Sequence, residues 1–138
     1  MKVILRQNTA VHFTATTESG QTLEIDGSEK VGGQDKGARP MEILLVGLGS
    51  CSAIDVISML KKMRQDVTDC TIEVTGERVD DVPAVFTDIH IRYLVTGRAL
   101  DHERVARAVT LSVEKYCSVS KMLQKSVNIT YEFSVVED

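Results

Sequence analysis

Positive charge is not in excess in this sequence: 16 Lys and Arg face 20 Asp and Glu, for a net charge of −4. Binding a nucleic-acid backbone requires a Lys/Arg stripe that displaces condensed counterions, so charge excludes that function class. Cysteine is scarce and odd in number, three in all and widely spaced. That excludes a secreted disulfide framework and leads us to expect a reducing, cytoplasmic setting. The opening residues MKVILRQNTA lack a basic segment, an apolar run and a small-residue cleavage site, so no secretory signal is expected there. Also missing are a CxxC pair, a glycine-rich phosphate loop after a strand, a G-x-S-x-G elbow, internal repeats and low-complexity segments. His12 and His90 fall in strand-like segments and His102 near a helix start, with no ligand spacing to the cysteines. No metal site and no bound cofactor are expected.

What is present reads as a soluble globular protein, with 43% hydrophobic and 26% charged residues in 138 positions, enough for one domain, 1–138, with a real core. The most informative stretch is Pro40 to Asp66. From Ile43 to Leu60 it carries a single charge, Asp55, and Cys51 lies near its middle. At about 100° per residue, with Cys51 at 0°, Leu48 falls near ~60°, Leu60 near ~180° and Ile57 near ~−120°. A helix apolar on every side has to be wrapped on every side. A bilayer span needs about 20 apolar residues, but Gly47, Gly49, Ser50, Ser52, Asp55 and Ser58 dilute this run, so no membrane span is expected. Such a helix would be about 40 Å long in a domain whose radius of gyration is roughly 14 Å. One small sheet cannot cover it, and the rest of the wrapping is expected from a second copy, as an obligate two-fold homodimer.

Elsewhere the patterning is local and clear. Residues 2–17 alternate as a strand, Glu18–Gln21 is a turn, and residues 22–26 resume a strand, predicting an N-terminal hairpin. Residues 28–39 are polar and glycine-rich, a loop, and Pro40 suits the first turn of the helix. Strands are predicted at 71–79, in a second, longer segment with Ile89, Ile91, Tyr93 and Val95 on one face that Gly97 ends, and at 127–135. Asp101 is a candidate N-cap for a helix to about Tyr116, and a short helix follows at 118–125. Strands joined mostly as hairpins predict an α+β domain with antiparallel sheet.

Cys51 sits in Gly-Ser-Cys-Ser-Ala, small neighbours that admit another backbone; taken alone it reads as a buried structural cysteine. Cys117 lies between two helical segments with a helix expected to start at Ser118, a position that lowers a thiol pKa. Cys70, at a strand start, reads as structural. Elimination of the other motifs leaves thiol redox as the one local chemistry with a mechanism.

Two motifs at matched distance then carry a resemblance. Pro40-Met41-Glu42-Ile43-Leu44-Leu45, through Gly49-Ser50-Cys51-Ser52-Ala53-Ile54-Asp55-Val56, precedes Glu114-Lys115-Tyr116-Cys117-Ser118-Val119-Ser120. The chain resembles the OsmC/Ohr family over nearly its whole length, and within it the YhfA-type branch. The resemblance implies an OsmC-like fold: an intertwined homodimer with two long central helices between curved antiparallel sheets. It further implies an oxidative-stress-response activity, a thiol-dependent peroxidase acting on organic hydroperoxides. Cys51 would attack and Cys117 resolve, and an external dithiol such as a protein-bound dihydrolipoyl group would restore both thiols. The chain departs from the peroxidase pattern in having Met41 where those members place Glu, with Glu42 one step further and facing away from Cys51. It has no arginine on the 21–26 hairpin, Arg39 being the nearest, and Ser118 in place of proline. Asp55, on the same helix face as Cys51, would oppose thiolate formation by like charge. These departures define the alternative expectation, an OsmC-fold protein without peroxidase activity that binds a small apolar ligand in the dimer-interface pocket.

Overall fold

The computed structural model describes all residues from Met1 to Asp138. It is mixed α and β, with two three-stranded sheets, and its contacts separate two compact units, Met1–Leu44 and Leu45–Asp138.

In the first unit β1 (Val3–Gln7), β2 (Phe13–Thr17) and β3 (Thr22–Ile25) form an antiparallel meander in that order. The single strand expected over residues 2–17 is therefore two strands. Ala10 takes φ 50°, and the Asn8 and His12 N–H groups donate to the His12 and Thr9 carbonyls at 2.9 Å each, closing a turn. Both arms of a hairpin alternate with period two, so alternation does not reveal the fold-back. His12 precedes β2 rather than lying on a strand, with its Nε2 2.8 Å from Glu24 Oε2. The loop after β3 is organised by buried Asp26, whose carboxylate accepts the N–H groups of Gly27 (2.8 Å), Gln34 (2.9 Å) and Lys36 (3.1 Å). Those donors hold the Asp26 carboxyl below its ordinary 3.8, the Gln34 N–H contributing most. Gly33 passes so close that a Cβ there would lie 1.8 Å from the Gly27 carbonyl oxygen.

Helix α1 spans Pro40–Lys62. Pro40 occupies its first position, and Glu42 Oε1 accepts the Arg39 N–H at 2.8 Å, the reach-back half of a capping box. The helix stops short of the expected Asp66. Arg64 takes φ 59°, and the N–H groups of Arg64 and Gln65 return to the carbonyls of Lys61 (3.0 Å) and Leu60 (2.9 Å), a Schellman end. An arginine holds the left-handed position where glycine is the usual signal, so sequence patterning runs past it. By length and composition α1 could cross a membrane, a criterion that the core helix of a soluble protein also meets. Within the chain only one stripe is buried: Leu48, Gly49, Ser52, Val56 and Leu60. Val46 remains 59% exposed and Ile54 69%, so the chain alone does not wrap the helix on every side.

In the second unit β4 (Asp66–Arg78) begins earlier than the expected Thr71, and it turns through Asp80–Pro83 into antiparallel β5 (Phe86–Arg98). Helix α2 (His102–Leu111), a π-helical turn (Ser112–Tyr116) and α3 (Ser118–Leu123) then carry the chain across to β6 (Asn128–Glu137). β6 pairs with β5 in parallel, Ile89 opposite Ile129 and Tyr93 opposite Phe133. The expected all-antiparallel sheet is thus mixed, because a helical crossover returns the chain to the same end of the sheet before the next strand starts. Asp101 caps α2 as expected, Oδ1 accepting the N–H of Glu103 at 2.9 Å and of Arg104 at 3.3 Å. The core of this unit joins the predicted β5 face, Ile89, Ile91, Tyr93 and Val95, to Val105, Ala108, Val109 and Val113 and to Leu48, Val56 and Leu60 of α1.

Candidate thiol site

Cys51 projects from the middle of α1, and Asp55 follows four residues later on the same helix face. Gly49 lets α1 lie close to the sheet at this level, since a Cβ there would come within 2.9 Å of Val74 Cγ2. Cys117 is delivered by the end of the π-helical turn. Its N–H closes that turn on the Ser112 carbonyl at 2.8 Å, and its own backbone is extended (φ −68°, ψ 110°). From there it caps α3, its Sγ accepting the Ser120 N–H at 3.4 Å. Ser120 Oγ in turn donates to the Val113 carbonyl at 2.8 Å, tying α3 to the widened turn. The result brings the sulfur atoms of Cys51 and Cys117 and a carboxylate oxygen of Asp55 within 4.8 Å of one another. Neither cysteine forms a disulfide here.

The two thiols sit in different surroundings. Cys117 is fully buried and Cys51 half-buried. The expected lowering of the Cys117 pKa at a helix start is overturned: burial pushes it up to about 11, outweighing the Ser120 N–H, and the neighbouring Cys51 raises it further. The helix that Cys117 caps spans only Ser118–Leu123, too short a dipole to offset removal from water. Cys70 lies within β4, away from this cluster, and burial also raises its pKa.

Three hydroxyls underlie the site, and none was singled out by sequence patterning. Ser52 Oγ on α1 bonds Tyr93 Oη on β5 and Ser112 Oγ on the π turn, the latter at 2.8 Å. Ser112 Oγ lies within donating distance of Asp55 Oδ2 (3.4 Å) and of the Ser52 carbonyl (3.3 Å). Burial pushes the Tyr93 hydroxyl up to about 12, so it keeps its proton in its bond with Ser52. No buried side-chain polar atom is left without a partner. An alternating strand read only for its apolar face conceals that Tyr93 carries a polar tip into that face.

Asp55 also borders a cavity of about 650 Å³ lined by Ser58, Met59, Lys62, Met63, Arg107, Leu111 and Tyr116. Arg107, on α2, brings a cation to that cavity from an element that offered no motif. Glu42 is committed to its helix cap, and Arg39 lies 3.8 Å from Asp35.

Residues 33–132 match the family model described as OsmC-like protein. The chain is 49% identical over 124 residues to Protein YhfA of Escherichia coli strain K12, covering 90% of each. Among solved structures, a hypothetical protein from Aquifex aeolicus VF5 superposes with TM-score 0.87 at 35% identity, covering 99% of this chain and 96% of that one. The Bacillus subtilis organic hydroperoxide resistance protein OhrB shares the fold at TM-score 0.63 and 22% identity, covering 96% of both chains.

Proposed function

We propose that this chain, which belongs to the OsmC-like protein family, is a cytoplasmic thiol-dependent peroxidase that reduces organic hydroperoxides through Cys51 and Cys117. The observation that carries this reading is the convergence of two thiols, distant in sequence, within 4.8 Å beside Asp55. The name of the B. subtilis fold relative agrees with the substrate class. In the first step the Cys51 thiolate attacks the distal oxygen of R–O–O–H and the O–O bond breaks. Cys51 becomes a sulfenic acid and the alkoxide leaves as the alcohol after taking up a proton. In the second, Cys117 sulfur displaces hydroxide from that sulfenic acid, its S–H proton completing a water, and the two cysteines close a disulfide. An external dithiol, such as a dihydrolipoyl group, then reduces the pair by exchange. Burial supports this assignment of roles: the partly exposed Cys51 meets substrate, and Cys117, held protonated at neutral pH, waits for the sulfenic acid.

The working unit in this proposal is a homodimer in which the bare faces of α1, Val46 and Ile54 among them, pack on a second copy and two long helices form the shared core. Sedimentation should show a dimer at low micromolar concentration; a stable folded monomer would remove this part. A second reading, binding of a small apolar ligand, is favoured by the cavity bordered by Met59, Met63 and Leu111. One experiment separates the two. Reduced protein is mixed with cumene hydroperoxide, and free thiols and intact mass are followed in wild type, Cys51→Ser and Cys117→Ser. The peroxidase reading expects rapid thiol loss in wild type, none at Cys117 when Cys51 is serine, and a trapped oxidised Cys51 when Cys117 is serine. Wild type that keeps its thiols overturns it and leaves the ligand-binding reading.

A further inference from the structure

We propose that the reduced site is also a binding site for a thiophilic divalent cation, Zn²⁺ in type, with Cys51 Sγ, Cys117 Sγ and an Asp55 carboxylate oxygen as its three protein ligands. The three donor atoms come from two elements and already lie within 4.8 Å of one another. Tetrahedral zinc, with about 2.3 Å to sulfur and about 2.0–2.2 Å to oxygen, sets its ligand atoms roughly 3.5–3.8 Å apart, so a closure of about 1 Å completes the set. Cys51 and Asp55 stand on successive turns of the same helix face, so rotation of these two side chains is the movement the closure calls for.

The surroundings of these donors have the form that metal ligands need. Ser112 Oγ, 3.4 Å from Asp55 Oδ2, can orient the carboxylate, and the Ser120 N–H donates to Cys117 Sγ at 3.4 Å and fixes the position of the sulfur. Two sulfurs with one oxygen select Zn²⁺ or Co²⁺ over the oxygen-seeking Mg²⁺ and Ca²⁺. Asp55 borders the 650 Å³ cavity, which leaves the fourth position to water or a small anion. Two thiolates and a carboxylate around a divalent ion leave one negative charge, and two cations, Lys62 and Arg107, line the same cavity as Asp55. The cation and the disulfide both use the two sulfurs, so each state excludes the other, and bound metal shields the pair from oxidation.

The site shares its cysteines with the proposed redox pair but requires no turnover, and its test uses no hydroperoxide. Reduced, metal-free protein is titrated with Co²⁺ while the thiolate-to-cobalt charge-transfer band is followed, and Zn²⁺ is then added in competition with a chromogenic chelator. One ion per chain is expected, displaced by Zn²⁺. Cys51→Ser and Cys117→Ser should each lose the band, and Asp55→Asn, close in shape, should weaken binding at least about tenfold. Absence of the band, binding that survives both cysteine substitutions, or an unchanged affinity in Asp55→Asn with wild-type circular dichroism overturns the inference. Failure here leaves the peroxidase reading standing, whereas thiols inert to hydroperoxide in a protein that binds cobalt would remove only the peroxidase.

Discussion

The two units are held together by different physics. In Met1–Leu44 the one buried apolar residue is Ala15, while Val3, Ile4 and Leu5 of β1 stay exposed. Its order comes from polar contacts: the three N–H groups gathered on Asp26 and the bonds joining Glu24 to Thr14 and His12. In Leu45–Asp138 a continuous set of aliphatic side chains is buried; of its polar members, Ser52, Tyr93 and Ser112 are joined by hydrogen bonds through Ser52, and Ser120 is bonded to the Val113 carbonyl. The candidate chemistry lies entirely in the second unit. A thiol pair needs sulfur positions fixed to a fraction of an ångström, and packed helices on a sheet supply that better than a loop centred on one carboxylate.

The contrast can be broken at several points. The largest expected effect is on chemistry: Cys51→Ser should lower hydroperoxide consumption by at least about 10³-fold, with the fold intact by circular dichroism. Activity retained in that variant would remove Cys51 as the attacking thiol. Next in size is packing. Leu60→Ala, fully buried, should cost about 2–5 kcal/mol in urea unfolding, whereas Val31→Ala in the first unit should stay within about 0.5 kcal/mol. Equal losses would show that the first unit has an apolar core of its own in solution. Ser52→Ala should then cost about 1–3 kcal/mol, because it strands the Tyr93 hydroxyl in the interior while Ser112 keeps Asp55 and the Ser52 carbonyl. Recovery of that loss in the double variant with Tyr93→Phe would mark the penalty as an unpaired donor rather than lost volume.

The smallest effect is one that acid removes. The folded Asp26 carboxyl is lowered from 3.8, so its stabilisation is fully present above that value and is lost as pH falls through the folded pKa. Asp26→Asn should therefore be less stable than wild type at neutral pH, and the two should converge as pH drops below 3.8. Parallel stability curves over that range would show that Asp26 does not hold the first unit by its charge.

Much of the fold was legible where a signal is local. The apolar face of β5 was set by alternation, the start of α1 by Pro40, and the start of α2 by Asp101, because each depends on residues a few positions apart. What escaped depended on position in space. The turn after β1 left the alternation undisturbed, and Arg64 ended α1 in a conformation that glycine usually announces. The pairing of β6 was misjudged because strand direction follows from the crossover between β5 and β6, not from either strand. At the site, the cysteines were found as candidates from motif spacing and family resemblance. The hydroxyls of Ser52, Tyr93 and Ser112 beneath the site, and Arg107 in the cavity that Asp55 borders, carried no spacing that marked them as polar parts of it.

The sequence by itself determined most of the elements, the family and the long apolar stretch with a thiol at its centre, because propensity, patterning and motif are written along the chain. Only the tertiary structure decided that Cys117 reaches Cys51 and Asp55, that burial rather than a helix end governs the Cys117 thiol, and that one stripe of α1 is covered within the chain. Those outcomes depend on distance and on exclusion of water, and both are properties of packed atoms rather than of residue order.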